Sequence, residues 1–208
     1  MHSVSMKILI NTIASNYEYT RSLTKSKSLS KLNSSLLQSN STLDIQSKTD
    51  ELTQILNRRG FMDLGQKTID LARDVDSKGI IFFADLDGLK SINDTYGHDM
   101  GDEAIKAAAQ VLSHALRSSD TVGRLSGDEF AAIAIGMDLT YEKQFREKIQ
   151  NLCEMISKDR KFPFTLSMSI GAVEFSSNKD TPSLSELLIQ ADDKLYIEKK
   201  KKHQKKQG

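Results

Sequence analysis

Two acidic pairs carry the chemistry that this sequence can offer, Asp85-Leu86-Asp87 and Asp128-Glu129. Asp85 follows the apolar run Gly79-Ile80-Ile81-Phe82-Phe83-Ala84, which reads as a buried strand. Alternation along a strand sends neighbouring side chains to opposite faces, so one of this pair can face a site while the other serves structure. Asp128-Glu129 belongs to a Ser126-Gly127-Asp128 turn between two strand-like runs, which is a hairpin signal. If the two strands are adjacent, both acidic turns meet at one edge of a sheet. Hard oxygen ligands clustered in this way suit Mg²⁺, which also takes water and substrate phosphates. Two such ions can clamp the attacking and leaving oxygens of a phosphoryl transfer. Acidic residues also cap helices and populate turns, and Asp87 just before a helix would serve as an N-cap. The Asp85-x-Asp87 spacing alone does not choose between these roles.

Other polar residues surround the first pair in sequence. Lys90 stands at the start of a short helix, within reach of a phosphate at that helix N-terminus. Asn93 and Asp102 add recognition capacity, because a carboxylate accepts from both N1–H and N2–H of guanine and adenine has no such donor pair. His98 beside Gly97 is within reach of the same ligand, although a lone loop histidine is more often a surface residue. No Ser-His or Cys-His arrangement offers rival chemistry. The single cysteine, Cys153, falls in the apolar rhythm of Ile149, Leu152 and Ile156 and reads as a small core thiol.

The elements that must position these residues follow from periodicity. Asn57 to Val75 predicts an amphipathic helix, and the strand at 79–84 follows it. Gly88 to Thr95 predicts a short helix and Gly101 to Arg117 a stronger one, with Ala104, Ile105, Ala108, Val111, Leu112 and Ala115 as its core stripe. Strands at Asp120 to Leu125 and Glu129 to Ile135 make the hairpin. A helix at Leu139 to Lys158, a strand at Phe164 to Phe175 and a last helix at Ser183 to Lys199 complete the order. The expected class is α/β in the α+β sense, with helices flanking a central, mostly antiparallel sheet.

Residues 1–48 differ in character. They are rich in Ser, Thr, Asn and Lys, and Leu29, Leu32, Leu36 and Leu43 fit a short heptad pattern interrupted by Ser39. A helix from about residue 25 that pairs two chains is one reading, and a disordered or truncated linker is the other. The expected organisation is this N-terminal segment at 1–48, a catalytic domain at 49–202 and a basic tail at 203–208. The net charge of +1 points to no bulk polyanionic partner such as nucleic acid. No apolar stretch reaches the length of a membrane span. One cysteine cannot form an internal disulfide, so a reducing, cytoplasmic setting is expected.

Five co-linear motifs carry a resemblance. Asp85-Leu86-Asp87-Gly88-Leu89-Lys90-Ser91-Ile92-Asn93-Asp94-Thr95-Tyr96-Gly97-His98-Asp99-Met100-Gly101-Asp102 resembles the metal and guanine segment of the GGDEF family of diguanylate cyclases. Arg124-Leu125-Ser126-Gly127-Asp128-Glu129-Phe130 resembles its signature turn. Asp50-Glu51-Leu52-Thr53-Gln54-Ile55-Leu56-Asn57-Arg58-Arg59-Gly60-Phe61 is similar to its opening motif. Ser169-Ile170-Gly171-Ala172 and Ala191-Asp192-Asp193-Lys194-Leu195-Tyr196 match later landmarks. The similarity covers about residues 50 to 200.

The resemblance implies a palm-like nucleotidyl-cyclase fold and a homodimer whose facing subunits condense two GTP molecules into cyclic di-GMP. It implies two Mg²⁺ ions per active site, with Mn²⁺ as a substitute. Asp85, the Leu86 carbonyl and Asp128 would bind metal, Asp128 would accept the 3′-hydroxyl proton, and Glu129 would support the metal site. Asn93, Asp102 and His98 would hold guanine, and Lys90, Lys199 and Arg124 would contact phosphates. Gly127 keeps the turn backbone close to the ligand. Arg117 and Asp120 stand where the family places a product-inhibition site, Arg117 being suited to a bidentate contact with phosphate or a guanine edge.

Four departures accompany the match. Ser126 replaces a Gly, at a cost of order 1 kcal/mol if the turn needs positive φ there. Leu89 replaces Phe, Gln54 replaces Gly, and Lys202-His203-Gln204 replaces Gly-Arg-Asn, which removes one phosphate-contacting Arg. The alternatives are a catalytically inactive receptor for cyclic di-GMP that uses Arg117 and Asp120, or a GTP-binding signalling module.

Overall fold

A computed structural model describes residues 48–176 and 182–207, together with Lys27 and Lys31. The chain divides into two compact units, Met1–Gln46 and Ser47–Gly208. Of the first unit, Lys27 and Lys31 are helical and exposed. The heptad leucines, and with them the choice between coiled coil and linker, lie outside the described residues.

In the second unit the apolar run at 79–84 becomes a central strand that continues to Leu86 and is buried along its whole length. The elements are β1 (Leu56–Asn57), α1 (Arg58–Asp74), β2 (Gly79–Leu86), α2 (Leu89–Tyr96), α3 (His98–Ala115), β3 (Thr121–Ser126), β4 (Glu129–Ile135), α4 (Glu142–Asp159), β5 (Met168–Phe175) and α5 (Leu184–Gln207), with a 3-10 turn at Leu139–Tyr141. The sheet order is β1-β3-β4-β2-β5. β1 pairs parallel with β3, and every other pair is antiparallel.

Alternation along β2 divides the core in two. Ile80, Phe82, Ala84 and Leu86 face one side with α3 and α4. Ile81 and Phe83 face the other with α1 and α5. On the first side Phe82 stacks on Phe145 of α4, with ring centroids 4.1 Å apart, and both are essentially fully buried. Truncating either to Ala would cost about 3–5 kcal/mol. On the second side Gly171 of β5 admits α5 at close range. A Cβ at Gly171 would lie 1.8 Å from the Ala191 carbonyl oxygen and 2.6 Å from the Leu195 amide nitrogen. That close approach is what brings the lysines of α5 to the end of β2.

Element boundaries differ from the sequence expectation where capping decides them. Asn57 is not the first helical residue of α1 but its N-cap, accepting from the Gly60 amide at 2.9 Å. α3 begins at His98 rather than Gly101, directly after the positive-φ Gly97. β5 begins at Met168 rather than Phe164, because Phe164 instead stacks on Phe162 and meets Tyr96. α5 continues to Gln207, so the basic residues after Lys199 extend the helix. Lys and Gln are good helix formers, and no Gly or Pro interrupts them.

β5 is an edge strand with β2 on one side. Its outward carbonyls are covered by three basic side chains. Lys202 Nζ donates to the Met168 carbonyl at 2.8 Å, Arg146 Nη2 to that of Ile170 at 2.7 Å, and Lys194 Nζ to that of Ala172 at 2.8 Å. Cations on alternate carbonyls block the addition of another strand.

Candidate active site

The two acidic turns meet. Asp85 of β2 pairs with Glu129 of β4 on one side and Ser169 of β5 on the other. The Leu86 amide donates to the Asp128 carbonyl at 3.0 Å, and the Asp87 amide to that of Ser167 at 2.8 Å. Like charges set directly opposite across a sheet are unfavourable, which marks the spot as a site. Asp85, Leu86, Asp87, Gly88, Leu89, Lys90, Asp128, Ser167, Ser169, Lys199 and Lys202 line a cavity of about 300 Å³.

Asp85, within β2, and Asp87, the first residue past its end, both line this cavity. Their environments differ. Burial, with Asp128 and Asp87 nearby, pushes the Asp85 carboxyl up to about 6, although Lys199 Nζ lies 2.6 Å from Asp85 Oδ1 and opposes the shift. Burial also disfavours ionised Asp87. The Ser167 hydroxyl at 2.7 Å, the Ser169 hydroxyl at 2.6 Å and Lys202 at 2.9 Å outweigh it and hold Asp87 below the ordinary carboxylate range. Asp87 is therefore an anchored anion and not an N-cap, since α2 is capped by the positive-φ Gly88 with no side-chain hydrogen bond.

Of the remaining expected site residues Lys90 lines the cavity, while Asn93, His98 and Asp102 stand on α2 and α3, which follow it in the chain. Lys90 is exposed in the first turn of α2, and Gly88, Leu89 and Lys90 at that helix N-terminus line the cavity. Asn93 of α2 packs against Gly101 of α3, where a Cβ would lie 1.8 Å from Asn93 Oδ1. Asn93 Oδ1 is buried with no hydrogen-bond partner among the described residues, an acceptor matched to a ligand N–H. Asp102 follows Gly101 directly and is exposed, as is His98 at the start of α3.

The signature turn is held by contacts that the sequence did not announce. Gly127 takes φ +33 while Ser126 keeps a negative φ, so the Ser replacement carries no left-handed strain. The Ser126 hydroxyl instead donates to Glu129 Oε2 at 2.5 Å. Arg124, expected at phosphates, braces the turn. Its Nε donates to the Gly127 carbonyl at 2.9 Å, and its Nη1 pairs with Asp50 Oδ1 at 3.2 Å. Thr53 also donates to Asp50, and together these donors hold that carboxyl below its ordinary range against the effect of burial. Arg117 is exposed at the other end of β3, and Asp120 accepts from the Arg117 backbone amide at 2.8 Å. The carboxylate thus shapes the loop through its backbone and not through the guanidinium.

Sequence reasoning missed Lys202, Ser167 and Ser169 as partners of Asp87, and Asp50 as partner of Arg124. For Lys202 a signal was available: Lys199 and Lys202 lie three apart on one helix face, as Asp85 and Asp87 lie two apart at the end of one strand.

A divalent cation fits this site on chemical grounds. Asp85, Asp128 and the Leu86 carbonyl are hard oxygen donors, and a cation would relieve the cost that keeps Asp85 near 6. Among the described residues no group of three or more His, Cys, Asp or Glu side chains forms a self-contained metal site. An ion held here would draw its remaining ligands from phosphate and water, which suits Mg²⁺.

Comparison with known proteins agrees with this fold. Residues 47–205 match the family model described as diguanylate cyclase, GGDEF domain. The chain is 34% identical over 158 residues to the probable diguanylate cyclase DgcC of Escherichia coli, covering 76% of this chain and 42% of that protein. It is 33% identical over 171 residues to the diguanylate cyclase DgcP of Escherichia coli, covering 80% of this chain and 49% of that protein. The chain thus spans less than half the length of these curated relatives. Among solved structures it is similar to the GGDEF domain of DgcB from Caulobacter crescentus in complex with c-di-GMP, with TM-score 0.63 and 25% identity over 74% of this chain and 90% of that one. It is also similar to the GGDEF domain of TpbB (YfiN) from Pseudomonas aeruginosa, with TM-score 0.65 and 30% identity over 74% and 89%. Among the described residues no helix is long and apolar enough to cross a membrane.

Proposed function

The chain belongs to the GGDEF family of diguanylate cyclase domains, and from that premise we infer that it condenses two GTP molecules into cyclic di-GMP with release of two pyrophosphates. One observation carries the inference. Asp85 and Asp128, from two separate turns, converge on one cavity together with the α2 N-terminus, Lys90 and Lys199.

Two subunits of a homodimer face each other, each holding one GTP. Asn93 and Asp102 accept from the guanine N–H groups, with His98 alongside. The buried, unpartnered Asn93 Oδ1 supports this assignment. Lys90 and the first amides of α2 orient the phosphates, and Lys199 moves from Asp85 onto them. Asp85, the Leu86 carbonyl and Asp128 would hold the two divalent ions, Mg²⁺ or Mn²⁺, which would supply charge neutralisation at the α-phosphate.

The 3′-hydroxyl oxygen of one GTP attacks the α-phosphorus of the other. The bond from that phosphorus to the bridging oxygen breaks, and pyrophosphate leaves with the electron pair. The hydroxyl proton passes to the Asp128 carboxylate, while Glu129, oriented by Ser126, supports the metal site. The same step in the opposite direction closes the ring. The product binds back at exposed Arg117, on a loop shaped by Asp120, and inhibits.

The test is incubation of purified protein with GTP and Mg²⁺, with the product identified by mass. Cyclic di-GMP and two pyrophosphates per ring are expected. A confirmed dimer that binds GTP but forms no cyclic di-GMP would overturn the reading.

A further inference from the structure

Lys202 occupies a junction that its sequence position does not suggest. Its ammonium donates to Asp87 Oδ2 at 2.9 Å and to the Met168 carbonyl at 2.8 Å, and it lies 3.5 Å from Glu198 Oε1. Three cavities share it as a wall. They are the 300 Å³ site cavity, a neighbouring 440 Å³ cavity between α4 and β5, and a 520 Å³ cavity between α4 and α5. The first two also share Ser167, so Ser167 and Lys202 are common to their walls.

Lys199 and Lys202 are three apart on one face of α5, a rise of about 4.5 Å. Asp85 is in β2 and Asp87 is the first residue past its end, a span of up to about 6.6 Å. The flexible lysine stems absorb the difference, so two ion pairs form side by side, Lys199 on Asp85 and Lys202 on Asp87. The two pairs differ in kind. Asp85 is opposed to ionisation by burial and is met by Lys199. Asp87 is fixed by three donors from two other elements.

The end of α5 needs such a fixture. Lys199, Lys200, Lys201 and Lys202 are consecutive and repel one another, and their outward members Lys200 and Lys201 are exposed. Fraying of these turns would withdraw Lys199 from the cavity. Beyond Leu195, which is buried in the core, the described polar contacts of α5 are Glu198 to Arg146, Lys199 to Asp85, and Lys202 to Asp87 and β5.

We propose that Lys202 is a positioning residue, pinning the last turns of α5 to Asp87 and the β5 edge so that Lys199 is presented to the phosphate cavity in a fixed register. The proposal rests on the diguanylate cyclase reading for the identity of the ligand. It assigns a function to the residue that stands where the family's Gly-Arg-Asn is absent. Lys202 itself does not touch the reacting atoms. It acts through the Asp87 loop, which leads into Gly88 and Lys90, and through the helix that carries Lys199.

The test compares Lys202→Met, which keeps the stem and removes the charge, with Lys202→Arg. Amide hydrogen exchange on the protein without metal or nucleotide should speed up about tenfold in both 86–90 and 199–207 for the Met variant. KM for GTP should rise about tenfold, with kcat changed less than about twofold, as expected when a positioned cation is lost from ground and transition state alike. Lys202→Arg should restore exchange and KM. Unchanged exchange at 86–90 in the Met variant overturns the proposal. So does a joint fall of kcat and Tm that Arg does not rescue, which would make Lys202 merely structural. If the wild-type protein turns over no GTP, the function reading fails, while the exchange data still decide the role of Lys202.

Discussion

Lys199 Nζ lies 2.6 Å from Asp85 Oδ1, an ion pair between the last helix and the end of the central strand. The pair brings together a carboxylate that burial pushes toward neutrality and a lysine that a phosphate would also attract. Asp87, two residues on, is held by three donors, Ser167, Ser169 and Lys202. The site is therefore built from one rigid carboxylate and one adjustable one.

The adjustable carboxylate sets a pH dependence. The folded value for Asp85, about 6, lies above the free value of 3.8. Its ionisation therefore opposes folding fully above about pH 6, and that penalty lifts as pH falls from about 6 toward 4. In metal-free protein, carboxyl-carbon NMR should give an Asp85 midpoint near 6. Lys199 favours the ionised form, so Lys199→Met should move the midpoint higher still. A midpoint near 4 in the wild type, or a downward move in the variant, would refute the assignment.

Asp128 makes no hydrogen bond or ion pair through its side chain among the described residues, and its own carbonyl holds the Leu86 amide. Asp128→Asn should therefore fold normally while losing a charge at the metal site and the proton acceptor. Cyclic di-GMP formation should fall by at least about a thousandfold, with circular dichroism and Tm close to wild type. Retention of more than a few per cent of the rate would remove Asp128 from the proton-accepting role.

How much of this was readable in advance depended on the range of the signal. β2 announced itself because the unbroken apolar run at 79–84 after a Gly reads as a buried strand, and the structure buries all of it. The meeting of Asp85 with Asp128 followed from pairing that strand with the hairpin. β1 was invisible. Two residues carry no periodicity, and Leu56–Asn57 is a strand because β3 lies beside it. Asp87 was legible as an acid but not as an anchor, because Ser167, Ser169 and Lys202 reach it from 80 to 115 residues away. The concern over Ser126 dissolved once Gly127, one residue on, proved to carry the positive φ.

Arg117 is exposed, and only its backbone is engaged by Asp120. Its guanidinium is thus available to a ligand without first breaking that contact. Arg117→Ala should raise the cyclic di-GMP concentration needed for half-inhibition by at least about tenfold, the scale of one charge-assisted contact. The check is a product titration of initial rates in both proteins. An unmoved inhibition midpoint would place the inhibitory site elsewhere.

Gln54 is the departure that the structure makes costly. It takes φ +61 in the loop that leads to β1, with its amide bonded to the Asp50 carbonyl at 2.8 Å. A side chain in the left-handed region costs about 1–2 kcal/mol, and Gly would avoid that. Gly also loses about 0.4–1 kcal/mol more chain entropy on folding, which offsets part of the gain. The exposed bond from Gln54 Nε2 to the Glu51 carbonyl adds little against this. Gln54→Gly should therefore stabilise the domain by about 0.5–1 kcal/mol and raise Tm by about 1–3 °C. Gln54→Ala keeps the Cβ and loses the side-chain bond, so its Tm should not rise. Calorimetry on the three proteins separates the effects. A Gly variant that melts no higher than the Ala variant would show that backbone strain is not what Gln54 contributes.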